Sequence, residues 1–81
     1  MRVQLTEPFV GAFKKMPQPV QKLFGKQLGL LLSNFHHPSL RTKIYDSQRR
    51  LWQGRVNDSY RFYFTIEGDY LVMHGIGPHP K

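Results

Sequence analysis

The segment Leu51 to Phe64, LWQGRVNDSYRFYF, restricts the chain most: residue character alternates with a period of two on both sides of a polar turn, Asn57, Asp58 and Ser59. Such alternation is what a half-buried antiparallel hairpin requires. A three-residue loop sets Val56 opposite Tyr60, Gly54 opposite Phe62 and Trp52 opposite Phe64, which collects the apolar residues on one face. A slip of one residue would mix the two faces. The exposed face then reads Gln53, Arg55, Arg61 and Tyr63. In this register Arg55 lies directly across from Arg61, with Cβ atoms roughly 4.5–5.5 Å apart, where like charges destabilise a sheet. The pair invites an anion.

A chain of 81 residues buries only about 60% of its unfolded surface and builds one core, so residues 1–81 are expected to form a single domain. Its 12 Lys and Arg against 5 Asp and Glu give a formal charge of +7. That excess favours polyanionic partners, whether nucleic acid, an acidic protein or an anionic membrane surface, although solubility alone would account for it more plainly. Cysteine is absent, which excludes a disulfide scaffold, a Cys-based metal site and a cysteine nucleophile. His36 and His37 are adjacent, and with His74 and His79 they lack a zinc-type spacing, so no metal is expected. Gly75 and Gly77 run into Pro78 and His79 rather than into a helix, so there is no phosphate loop and no cofactor is expected. No apolar run approaches the roughly 18 residues of a membrane span. The amino terminus has no signal-peptide pattern, since Glu7 and Pro8 follow almost at once. A cytoplasmic protein is the default expectation.

Val3 and Leu5 alternate with polar neighbours and suggest a short first strand. Thr6 suits an N-cap, with Glu7 and Pro8 in a first helical turn, so a helix is expected from about Glu7 to Lys15, closed by Pro17. Phe9, Phe13 and Met16 form its apolar stripe. Pro19 opens a second helix, Gln18 to about Ser33, in which Val20, Leu23, Phe24, Gln27, Leu30 and Leu31 follow the helical period. Gly25 and Gly29 fall on its opposite, solvated face. From Asn34 to Arg50 the chain is expected to be an irregular basic loop, anchored by Leu40, Ile44 and Tyr45. After the hairpin, Glu67, Gly68 and Asp69 form a second turn before a last strand from Tyr70 to about Gly77. The order β, α, α, β, β, β predicts an α+β fold: two N-terminal helices packed on a mostly antiparallel four-stranded sheet.

Arg55, Arg61 and Tyr63 on one sheet face suit a phosphate by charge and a base by stacking, as in sheet surfaces that engage single-stranded nucleic acid. The alternative is an ordinary solvated face. The second turn decides where His79 points. A three-residue loop opposes Ile66 to Tyr70 and places His79 with the arginines, whereas a two-residue turn at Gly68 and Asp69 sends it to the other face. Beside the arginines, His79 could move a proton near neutrality. His74 shares parity with Val72 and Ile76, which suggests a packed structural role.

The segment HHPSLRTKIYDSQRRLWQGRVNDSYRFYFTIEGDYLVMHGIGPH, with its basic loop, W..RV hairpin, YRF strand and terminal IG.H, resembles the RelE/ParE superfamily of toxins from type II toxin-antitoxin systems. The lysine pair and proline before an amphipathic helix also fit, so the resemblance covers nearly the whole chain. It implies a microbial RNase-like domain held in check by a cognate antitoxin, cytoplasmic and free of metal. RelE-like members cut mRNA on the ribosome using the ribose 2′-hydroxyl as nucleophile, whereas ParE-like members poison DNA gyrase without nuclease chemistry. An inactive binding module is a third alternative. Carried over by position, Arg55 and Arg61 serve the phosphate and His79 is the acid or base. Gln53, Tyr63, Arg41 and Lys43 are the substrate-binding candidates. Two positions depart from the RelE pattern: Gln53 stands where a basic residue is expected, and Pro80 where relatives of this subgroup often have aspartate.

Overall fold

The computed structural model describes residues 1–79. Its elements in chain order are β1 (Arg2–Leu5), α1 (Glu7–Lys14), α2 (Gln18–Ser33), a short 3₁₀ turn (Pro38–Leu40), β2 (Lys43–Asp46), β3 (Leu51–Arg55), β4 (Tyr60–Glu67) and β5 (Tyr70–Pro78). Thr6 begins the helical layer as expected. Its Oγ1 accepts from the Phe9 N–H at 3.3 Å and donates to the Met73 carbonyl at 2.8 Å, so one hydroxyl caps α1 and ties it to β5. At the other end of α1, Gln21 Nε2 donates to the carbonyls of Phe13 and Met16, which satisfies orphan acceptors and fixes α2 against α1.

The helices cover one face of a five-stranded sheet of order β1-β5-β4-β3-β2. β1 runs parallel to β5, and the remaining pairs are antiparallel. This corrects the expected four strands: Lys43–Asp46, assigned from sequence to an irregular loop, pairs with β3 as an edge strand. An edge strand of four residues with both faces accessible leaves little periodic signal; Ile44 is 46% exposed and Tyr45 59%. Neither anchors the segment to the core. Leu40 alone of the three expected anchors is buried.

Between the layers lie Phe9, Val20, Phe24 and Leu31 from the helices and Phe62, Phe64, Leu71, Met73 and Ile76 from the sheet. Phe24 meets Phe62 edge-on at 5.3 Å between ring centroids. Phe62 lies over Gly54: a Cβ there would come within 2.7 Å of its ring edge, so β3 is open at this point to admit the ring. The β3–β4 register is the one parity demands, with Trp52 opposite Phe64, Gly54 opposite Phe62 and Arg55 opposite Arg61. Gln27, 5% exposed, donates to the carbonyls of Arg55 and Ser39, joining α2, the 3₁₀ turn and the end of β3.

Candidate functional site

The site begins with the sheet face turned away from the helices. Glu67 pairs with Tyr70, so the second turn is the two-residue Gly68–Asp69 form, with Gly68 at a φ of 62° that favours glycine. On its own that turn would send His79 to the helical side. A bulge reverses the outcome. Tyr63 pairs with Gly75 but Phe64 pairs with Met73, so His74 is an extra residue and parity inverts beyond it. Arg61 then pairs with Gly77, and the His79 N–H donates to the Ser59 carbonyl at 2.7 Å. Gly75, Gly77 and His79 therefore continue the face that carries Gln53, Arg55, Arg61 and Tyr63. A bulge has no signature in residue parity, which is why the sequence left this register open.

The same bulge corrects the expectation for His74. Its ring does not pack with Ile76 in the core; it is half-buried on the arginine face, with Nε2 at 2.8 Å from Thr65 Oγ1.

The two arginines do not confront each other as bare charges. Arg55 forms a salt bridge with Asp58, three residues on in the hairpin turn. Arg61 donates through one terminal nitrogen to the carbonyls of Asn57 and Tyr60, at 2.5 and 3.0 Å. Both guanidinium groups are thus drawn to the hairpin turn, which relieves the repulsion that the cross-strand register imposes. Arg55 Nε and His79 Nδ1 are buried without a hydrogen-bond partner among the described residues. Such groups are uncommon in native structures and concentrate where a ligand or water completes the set.

Tyr63 lies one rung further along. Burial raises its phenol pKa, the neighbouring Tyr45 adds to the rise, and the Arg61 charge opposes it. The hydroxyl is therefore protonated at neutral pH and can donate. Gly75 and Gly77 bring no side chains to β5; a Cβ on Gly77 would meet nothing within 4 Å. The result is a shallow trough with Arg61 and Tyr63 on one side and a bare strand on the other.

The remaining candidates divide. Gln53 is only 4% exposed, between Lys43 on β2 and Tyr63 on β4, so it is not the exposed contact that the hairpin pattern suggested. Lys43 is exposed on the same rung. Arg41 follows the 3₁₀ turn in a left-handed conformation at φ 46°, in the segment that leads into β2. Pro80 lies outside the described residues. No group of three His, Asp or Glu suited to a metal ion occurs among the described residues. A cleft of 430 Å³ lies between α2 and the hairpin end, lined by Leu23, Lys26, Leu30, His37, Arg55 and Val56 among others.

The sequence matches no protein-family model and no curated protein. Solved structures are similar in fold. A YoeB/ParE toxin from Agrobacterium tumefaciens superposes with a TM-score of 0.80 over 99% of this chain and 100% of its own, at 10% identity. The YoeB dimer from Staphylococcus aureus gives 0.80 over 99% and 98%, also at 10% identity. The archaeal RelE in a RelE-RelB complex from Pyrococcus horikoshii gives 0.74 over 95% and 92%, at 16% identity.

Proposed function

We propose, for a chain that has the fold of the RelE/ParE toxins, that it is the toxin component of a type II toxin-antitoxin module and acts as a metal-independent mRNA endoribonuclease on the ribosome. The observation that carries this reading is the gathering of Arg55, Arg61 and His79 at the hairpin end of one sheet face, with Arg55 Nε and His79 Nδ1 buried and unpaired. Cleavage begins when a base takes the proton of a ribose 2′-hydroxyl. The 2′-oxygen bonds to the adjacent phosphorus, the bond to the 5′-oxygen breaks, and an acid returns a proton to that oxygen. Arg61, preset by its two carbonyl bonds, and Arg55 stabilise the charge on the crowded phosphate. His79 handles a proton, and Tyr63 donates from beside Arg61.

The expected partner in the cell is a cognate antitoxin. Several of the similar structures are toxin-antitoxin complexes, among them RelE-RelB from Pyrococcus horikoshii and YoeB-YefM from Staphylococcus aureus.

One observation favours a second reading, a nonenzymatic inhibitor of DNA gyrase: Gln53 is uncharged and buried where the RelE pattern has a basic residue, and Asp58 occupies Arg55. The test is expression of the chain without an antitoxin, followed by mapping of mRNA ends. In-frame cuts on translated messages, lost with His79→Ala and with Arg61→Ala while circular dichroism stays unchanged, support the nuclease. Intact mRNA with a DNA-damage response supports the gyrase reading. Unchanged toxicity in both folded variants refutes the site.

A further inference from the structure

Beyond the arginines, the same face carries two adjoining cavities at the end away from the hairpin turn. One, of 310 Å³, is lined by Tyr45, Leu51, Tyr63, His74 and Gly75; the other, of 200 Å³, by Arg49, Leu51, Thr65 and His74. Their shared wall is Leu51 and His74, the latter brought onto this face by the β5 bulge. The imidazole is held by a chain whose proton positions follow from valence. Thr65 Oγ1 lies 2.7 Å from Glu67 Oε2 and 2.8 Å from His74 Nε2. An ionised carboxylate only accepts, and a hydroxyl has one proton, so Thr65 donates to Glu67 and must accept from His74. Neutral His74 is therefore the Nε2–H tautomer, with Nδ1 an acceptor that has no hydrogen-bond partner among the described residues.

The other walls suit a flat, apolar-faced ligand. The rings of Tyr45 and Tyr63 meet at 4.9 Å between centroids and an angle of 61°, forming a corner of two aromatic surfaces. Gly75 contributes no side chain to the floor, where a Cβ would lie in ordinary contact with Tyr63 at 3.9 Å. Tyr63 Oη, protonated for the reasons given above, is a donor. The volume of the first cavity is near the lower limit of about 300 Å³ for ligand pockets, which suits a single ring system better than a larger ligand. Of the charged groups nearby, Arg49 lines the second cavity and is paired with Asp46 at 3.6 Å, and Lys43 is exposed on the rung of Gln53.

We propose that this trough seats one nucleobase of single-stranded RNA, stacked on Tyr45 with its edge against Tyr63, and with a base N–H donating to His74 Nδ1. The inference rests on the RNA reading above and adds a subsite to it. The rung of Tyr63 and Gly75 is two residues from that of Arg61 and Gly77, roughly 7 Å along the strand, so the base belongs to a nucleotide next to the phosphate held by the arginines. His74 and His79 are five residues apart, roughly 16 Å on an extended strand, too far for both to act at one phosphate. His74 reads a base while His79 serves the chemistry.

The test uses fluorescently labelled 2′-O-methyl RNA trinucleotides, which lack the nucleophile and stay intact, and the same oligomers with one base removed at each position. Anisotropy is expected to show one position where base removal weakens binding about tenfold, as loss of an aromatic stack does. Tyr45→Ala, on an exposed edge, is expected to weaken the full oligomer by a similar factor and to add little further loss at that position, the signature of a direct pair. Nitrogen NMR of the unaltered protein is expected to show the Nε2–H tautomer of His74 and a shift of Nδ1 on adding the full oligomer but not the abasic one. Equal effects at every position, losses that simply add, or a silent His74 would overturn the subsite and leave the arginine site standing. Failure of every oligomer to bind would overturn the subsite, while the nuclease reading stands or falls on the mapped mRNA ends.

Discussion

At the scale of single residues, the hairpin turn supplies its own stand-in for the anion that two facing arginines require. Asp58 is 91% exposed and its pair with Arg55 is local in sequence, a combination worth about 0–1 kcal/mol. A phosphate that meets two guanidinium groups can displace it. Asp58→Asn is therefore expected to leave thermal stability nearly unchanged, within about 0.5 kcal/mol, and to tighten binding of the RNA oligomers at low salt; weaker binding would mean that Asp58 orients Arg55 rather than competing for it. Tyr63 gives a second residue-scale prediction. Its pKa is raised above 10.0 in the fold, so above pH 10 the unfolded chain loses the phenol proton first. Stability conferred by the neutral phenol is complete below that pH and falls as pH rises through the folded pKa. Denaturant titrations should show this alkaline decline, reduced in Tyr63→Phe. The arginine register was readable from parity alone, whereas the Asp58 pair was not, because the same residue also satisfies a turn pattern.

Among the elements, the helices and the hairpin were readable because each carries a repeating signal: caps and a 3.6-residue stripe in α1 and α2, strict alternation in β3 and β4. β2 and the β5 bulge lack one. Four residues, two of them large apolar side chains in solvent, give no face to β2, and a one-residue insertion at His74 leaves the pattern on each side intact while inverting their relation. That insertion decides the site, since it places His79, Gly75 and Gly77 with the arginines. The bare strand also permits a separation of stability from function. Gly77 has open space where its Cβ would be, and a β-branched residue suits a strand better than glycine does. Gly77→Val is expected to fold with unchanged or slightly higher melting temperature and yet, under the proposed function, to lose growth arrest, because the side chain fills the trough across from Arg61. A folded, fully toxic Gly77→Val would show that substrate does not lie over β5.

Taken as a whole, the molecule joins a formal charge of +7 to a small number of positioned cations, and these make different predictions about salt. One core, closed by Gln27 between α2, the 3₁₀ turn and β3, holds Arg55 and the hairpin end as a rigid unit. If that unit does the binding, only Arg55 and Arg61 displace counterions from single-stranded RNA, and log K should fall with log salt at a slope of about −1.4, from roughly −0.7 per phosphate neutralised. Diffuse attraction by the full basic surface would give a much steeper line. The variants then separate by mechanism: Arg61→Ala is expected to flatten the slope to about −0.7, while Tyr45→Ala, which removes stacking and no charge, is expected to lower the line without tilting it. Anisotropy titrations of one oligomer across a range of salt concentrations measure all three. Parallel lines for wild type and Arg61→Ala would mean that the arginine pair does not touch phosphate, whatever the fold.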